Sequence, residues 1–446
     1  MKKTIALLTL ICMLMSVLVL TSCSKGDSAG DLMGGYAPGM GDGYYGSTGC
    51  DYDASAPEGG DEYAPDGADK GDTGSSTPEE NVKLPAGMIT AAAWNDNDYY
   101  NDWLALFSQD GDGKFFGYTN AESSWGYNSL DRVTVSVLCA DQPIKGAQVV
   151  AYDLQGNKLF GAVTDSKGNA YLFPNEAEGT VSVTYGDESV TVSFTKDERE
   201  LDVALNSNAG SLNVIEIMLV VDVTGSMSDE ISFLKAELAD VINRIADNDT
   251  ETVIRLAMLF YRDTDDSVPF AYYDFVDVTT PDGLSKQQTA LDSQWATGGG
   301  DYPEAVDEAL DIAVNKQWST GAATKIIFQV LDAPAHNTAK NKQKLENAVN
   351  SAAEKGIRFC PIICSGASTE TEYTMREAAI HTGGTFVFVT DDSGIGSGHH
   401  DPGLPNATVE LLNSLMVRLV NGYHTGVFDN PVYWKQDPGL GTSSNS

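Results

Sequence analysis

Asp222, Thr224 and Ser226 occupy alternate positions in the segment Asp222-Val-Thr-Gly-Ser226. One carboxylate and two hydroxyls at this spacing present only oxygen donors. Hard oxygen donors that leave coordination positions open suit Mg²⁺, which usually keeps water or outside ligands in its octahedron. Asp332, in Leu331-Asp-Ala-Pro-Ala-His336, supplies a second carboxylate from elsewhere in the chain. The loop Thr297-Gly-Gly-Gly-Asp301-Tyr-Pro-Glu304 offers a third contribution. The same residue types also cap helices, and Ser226 taken alone fits either role. A phosphate-binding loop needs a Lys after its Gly. Here Met227 follows Ser226, which argues against a nucleotide.

These residues need strand tips to hold them. Val214–Val221 is a nearly continuous apolar run, as expected of a central parallel strand buried on both faces. It ends at Asp222. Ile231, Leu234, Leu238, Val241 and Ile245 then recur at helical spacing. Thr252–Tyr261, Thr324–Leu331, Ile357–Ile363 and Thr385–Val389 read as further strands, and Asp332 follows the second of these. Amphipathic helices are expected over Tyr302–Val314 and Asn341–Lys355. The order is that of a doubly wound, Rossmann-like α/β domain over 211–422, where ligands gather at the carboxyl ends of the strands.

The motifs DVTGSM, TGGGDYPEA and LDAPAH resemble the metal-ion-dependent adhesion site of the von Willebrand factor A domain, and the resemblance spans about 211–422. It implies that Asp222, Thr224, Ser226 and Asp332 are metal-site residues. It also implies that the ion is Mg²⁺ or another divalent cation such as Mn²⁺ or Ca²⁺. The third loop departs from the integrin-like pattern: Gly300, then Asp301, stand where a Thr commonly follows two glycines. Asp301 is the expected contributor there, directly or through water, with Thr297 as the weaker candidate. The implied activity is binding. A protein ligand presents a carboxylate to the open position of the ion, and the last helix shifts in response.

The rest of the chain sets the context. The 446 residues carry a formal charge of −37. That argues against nucleic acid, whose binding rests on Lys and Arg neutralising phosphates. Lys2 and Lys3 precede the apolar stretch Ile5–Leu20, and Leu20-Thr21-Ser22-Cys23 resembles a bacterial lipobox. Residues 1–22 therefore read as a lipoprotein signal peptide. Cys23 is then expected to be lipidated and to anchor the protein to a membrane on the extracytoplasmic side of a bacterial envelope. Residues 23–85 are rich in Gly, Asp, Ser and Tyr and have no sustained period, which reads as a disordered acidic spacer.

From 86 to 207 the pattern is of short alternating strands with Gly and Asp turns, expected to form an all-β sandwich. The stretch PIKGAQVVAYDLQGNKLFGAVTDSKGNAYLF resembles carboxypeptidase-regulatory-like or Ig-like modules. That implies a structural or adhesive spacer. Trp94, Tyr99, Trp103 and Phe107 are assigned to this module, packing on its sheets. The tail 423–446 has aromatics followed by a polar end.

Enzymatic readings find little support. The five His form neither HExxH nor a zinc-spaced set, and Ser226 lacks the G-x-S-x-G elbow. Cys360 and Cys364 sit roughly 13 Å apart along an extended strand at ~3.3 Å per residue. They read as buried thiols, not as a pair. The expected role is a non-enzymatic adhesion or scaffold lipoprotein. The alternative is an envelope-maintenance or assembly factor in which this domain serves a larger complex.

Overall fold

The computed structural model describes residues 89–437, apart from 109–112, 120–124, 126, 207–209, 211, 249–250, 301 and 394–397. Residues 1–88, with Cys23, the signal segment and the spacer, lie outside the described residues, as does Asp301.

The described chain opens with β1 (Thr90–Trp94) and α1 (Tyr100–Ala105). Eight strands follow: β2 (Val133–Cys139), β3 (Gln142–Pro143), β4 (Gln148–Tyr152), β5 (Lys158–Val163), β6 (Asn169–Leu172), β7 (Gly179–Tyr185), β8 (Glu188–Phe194) and β9 (Glu200–Ala204). The α/β part runs β10 (Val214–Asp222), α2 (Ser228–Asn248), β11 (Val253–Tyr261), β12 (Phe270–Asp277), α3 (Pro281–Asp292) and α4 (Val306–Val314). It continues with β13 (Thr324–Leu331), α5 (Ala339–Glu354), β14 (Ile357–Ile363), α6 (Thr369–Thr382), β15 (Phe386–Val389), β16 (Glu410–Leu411) and α7 (Leu412–Thr425). No helix among the described residues is long and apolar enough to cross a membrane.

One sheet has the order β12-β11-β10-β13-β14-β15-β1-β16. β11, β10, β13, β14 and β15 are parallel, while β12, β1 and β16 run antiparallel to their neighbours. The sheet is therefore mixed rather than wholly parallel. β10, β13 and β14 are buried along nearly their whole length, as their apolar runs require. α2, α3 and α7 cover one face around Leu234, Leu291 and Leu415. α4, α5 and α6 cover the other around Leu310, Leu345 and Met375.

β1 corrects the expected boundary at residue 86. Its residues pair with β15 (Ala92 opposite Phe388) and with β16, so it belongs to the α/β sheet. A strand edge left open exposes unpaired N–H and C=O groups, and β1 closes the edge of β15. The aromatic residues that follow do not pack on the β module alone. Trp103, Phe107 and Phe115 gather around Tyr373 of α6.

Between β1 and β10, β2 pairs with β3, β6 and β9, and a second sheet has the order β5-β4-β7-β8. β9 lies parallel to β2; the other pairings in these two sheets are antiparallel. The two sheets bury Val135, Val149, Val181 and Phe194. They pack on α5 and α6, where Phe160 and Phe173 lie against His381. Cys139, Cys360 and Cys364 are free thiols, the last two buried.

Candidate metal site

β10 and β13 are neighbouring parallel strands, with Val221 opposite Val330. Asp222 is the last residue of β10, and Asp332 follows the end of β13. The sheet thus delivers both carboxylates to one edge, where ligands of open α/β sheets collect.

Asp222 is fully buried. Its Oδ1 accepts from the Thr224 backbone N–H at 2.9 Å and the Thr224 hydroxyl at 2.7 Å. Its Oδ2 is buried and has no hydrogen-bond partner among the described residues. The Thr224 and Ser226 hydroxyls stand 3.5 Å apart. Ser226, in the turn that leads into α2, is exposed. Asp332, Ser226, Tyr302 and Glu304 line one cleft of about 330 Å³.

The glycine loop folds over this pair. Thr297 N–H donates to the Val223 carbonyl at 3.0 Å, and Gly225 N–H to the Gly298 carbonyl at 3.2 Å. Gly298 and Gly299 have φ of +84° and +75°, a region that favours glycine. A Cβ on Gly299 would meet Glu304 Oε1 at 2.8 Å and Thr224 Cβ at 3.2 Å, so the loop lies directly against the site. The exposed Thr297 supplies its carbonyl to Arg262 Nε at 2.7 Å.

Two acidic residues that the motifs did not single out as ligands join this group. Glu304 is buried, and its Oε2 lacks a partner among the described residues. Glu230, in the first turn of α2, accepts from the Ser365 hydroxyl through Oε1 at 2.7 Å, while its buried Oε2 has no such partner. The signal for Glu304 was present in TGGGDYPEA, two residues beyond the Tyr302 that lines the cleft. Glu230 carried no comparable signal, because it falls on a helix face between apolar positions.

The electrostatics follow from this crowding. Burial, then the charge of Asp332, pushes Asp222 up to about 7. Burial, then Asp222, Asp263 and Asp332, pushes Glu304 up to about 9. Burial also raises Asp332, against the pull of the Ser226 hydroxyl. Like charges that cannot all ionise together are stabilised by a cation among them. The orphaned oxygens of Asp222, Glu304 and Glu230 and the all-oxygen donor set fit a hard divalent ion. The described residues bring Asp222, Thr224, Ser226 and Asp332 together; Asp301 is not among the described residues.

An open α/β sheet here carries an oxygen cluster at its carboxyl edge. Residues 216–391, from within β10 to just past β15, match the family model of the von Willebrand factor A domain. This stretch of the chain is such a domain. No curated protein matches the chain. Among solved structures, the conserved hypothetical protein BatB from Bacteroides thetaiotaomicron is 12% identical over 47% of this chain and 98% of that one, with a TM-score of 0.33. A mutant of the PilB minor pilin from Streptococcus sanguinis is 10% identical over 64% of this chain and 89% of its own, with a TM-score of 0.32. The pilus adhesin SpaC from Lactobacillus rhamnosus GG is 9% identical over 46% of this chain and 29% of that one, with a TM-score of 0.31.

Proposed function

We propose that this chain is a non-enzymatic binding protein of the bacterial envelope that engages a protein ligand through a divalent cation. Asp222, Thr224, Ser226 and Asp332 hold the ion, with Glu304 and Asp301 as further carboxylates of the same site. When bound, Mg²⁺ or a similar divalent ion supplies an open coordination position for a carboxylate from the partner. The observation that carries this reading is the buried Asp222 carboxylate, with one oxygen fixed by Thr224 and the other facing no donor.

The chain's own residues do the positioning. Thr224 orients Asp222, and Ser226 faces the same cleft as Asp332. Tyr302 donates to the carbonyls of Asp332 (3.3 Å) and Gly366 (3.2 Å), closing one wall of the cleft. Cys23, in its lipobox, anchors the protein to the membrane. The role is adhesion or scaffolding.

Calorimetric titration of the full chain with Mg²⁺ and Mn²⁺ tests the site: binding is expected for the wild type and lost in Asp222→Ala. A pull-down from envelope extract with and without chelator then tests the partner. Equal divalent affinity in both proteins, or a partner retained in chelator, overturns the reading.

A further inference from the structure

At the opposite edge of the sheet, where β13 and β14 begin, the β module closes against the α/β part around a cavity of about 20 Å³. The walls approach closely. A Cβ on Gly146 would lie 2.6 Å from Ala322 Cβ, and one on Gly356 would lie 3.0 Å from Val163 Cβ. Lys145 comes from the turn before β4, Lys325 from β13 and Arg358 from β14, and all three line the cavity. Lys325 and Arg358 are only 7% and 8% exposed.

None of the three forms an ion pair among the described residues. Their partners are neutral oxygens. Lys145 Nζ donates to Thr324 Oγ1 at 2.6 Å and to the His424 carbonyl at 3.4 Å. Lys325 Nζ donates to the Lys355 carbonyl at 3.0 Å. Arg358 donates to the carbonyls of Thr382 at 2.7 Å and Val163 at 3.0 Å. Each cation keeps further N–H donors.

Buried charges in proteins are normally paired, because an unpaired one forfeits its hydration. Four cationic residues, these three and Lys355, line one cavity in a chain with 64 acidic residues against 27 basic ones; Lys355 Nζ is taken up by the Val314 carbonyl and Asn315 Oδ1. Asp165 is the one carboxylate on the cavity wall, and its Oδ1 is turned to the backbone N–H groups of Lys167 and Asn169. Glu216, the carboxylate that most favours the Lys325 charge, is itself bound by Arg255 and Ser319. Burial, then the charge of Arg358, pushes Lys145 down to about 8, and the charge of Asp165 offsets this only in part.

We propose that this cavity binds one small monovalent inorganic anion of chloride size, held by Lys145, Lys325 and Arg358, which clamps the β module to the α/β domain. The volume sets the class. A single water-sized occupant needs roughly 10–15 Å³ on this measure, so one small ion fits with little room to spare. Four cationic residues against one carboxylate on the lining favour an anion over water.

The test uses the full chain in chelator, which silences the divalent site. Thermal unfolding is followed in sodium chloride and in sodium gluconate at equal ionic strength. The expected result is a saturable rise in Tm with chloride over gluconate, reduced to less than half in Lys145→Gln. The chloride-35 NMR line of the wild type is expected to broaden and to sharpen again when bromide is added. This second measurement needs no variant and decides the matter if Lys145→Gln does not fold. Equal Tm in the two salts, an undiminished chloride effect in a folded Lys145→Gln, or an unbroadened chloride line overturns the proposal.

Discussion

The Thr224 hydroxyl donates to Asp222 Oδ1 at 2.7 Å, while Oδ2 of the same carboxylate is buried without a partner among the described residues. One oxygen is held in place, and the other is the one the proposed cation would take. An amide at this position keeps the shape and removes the charge. Asp222→Asn is therefore expected to weaken Mg²⁺ or Mn²⁺ binding by more than the ~10–100-fold typical of supporting groups around a metal. The metal-free Tm is expected to stay level or rise, because a carboxylate crowded by Asp332 has been removed. Calorimetry and paired melting curves measure the two effects. Loss of both binding and metal-free stability would mean that Asp222 is a structural residue.

Glu304 gives a prediction with the opposite emphasis. Burial and the charges of Asp222, Asp263 and Asp332 raise it to about 9, so at neutral pH the metal-free carboxyl keeps its proton. A folded-state value above the unfolded one contributes stability at low pH that is lost as pH rises. Metal-free wild type should thus lose stability from the ordinary carboxylate range up toward pH 9. Glu304→Gln mimics the protonated form and is expected to flatten that branch. The same variant should lower the Tm gain from added Mg²⁺. Melting at pH 5, 7 and 9, with and without Mg²⁺, reads both outcomes.

His381 governs the acid side. Its ring lies 4.4 Å from Phe173 and 5.4 Å from Tyr127, and Nδ1 donates to the Glu377 carbonyl at 2.8 Å. Burial pushes it down to about 4, below the ordinary value near 6.5. The unfolded chain therefore takes up a proton first. The contribution of this neutral His is full above pH 6.5 and is lost as pH falls to 4, at about 1.4 kcal/mol per pH unit. Glu377, raised to about 8 by burial, works in the other direction over this range. The comparison that isolates His381 is wild type against His381→Gln. Their difference in urea unfolding free energy is expected to shrink between pH 7 and pH 5.

The chain revealed the site more readily than its supports. Val214–Val221, Thr324–Leu331 and Ile357–Ile363 were legible because strands buried on both faces are nearly all apolar. DVTGSM then placed Asp222, Thr224 and Ser226 at a strand tip. β12 was not legible, since Phe270–Asp277 is only partly covered along its length and shows no alternation. α6 was not legible for the reverse reason. TETEYTMREAAIHT reads as polar, yet nearly every residue is buried, because Arg376, Glu372 and Glu377 find partners from other segments. β1 pairs with a strand almost 300 residues away, and TAAAW gives no local sign of that partner.

The last prediction concerns the link that holds this N-terminal segment to the domain. Arg376 of α6 is 1% exposed. It donates to both oxygens of Asp96, just after β1, at 2.9 and 2.5 Å, and to Glu372 at 3.0 Å. Glu372 also receives Lys114 at 2.5 Å and His400 at 2.6 Å, so it keeps partners if Arg376 is removed. Asp96 has no other ion pair among the described residues, and burial already holds its carboxyl above the usual range. Arg376→Met should therefore strand Asp96 and cost about 3–5 kcal/mol, as expected when one member of a buried pair is lost. Adding Asp96→Asn should recover part of that loss, because the stranded charge is gone. Hydrogen exchange is expected to rise first at Thr90–Trp94, the strand this pair secures. Uniform acceleration across β10, β13 and β14 instead would show that Arg376 supports the whole domain and not this link.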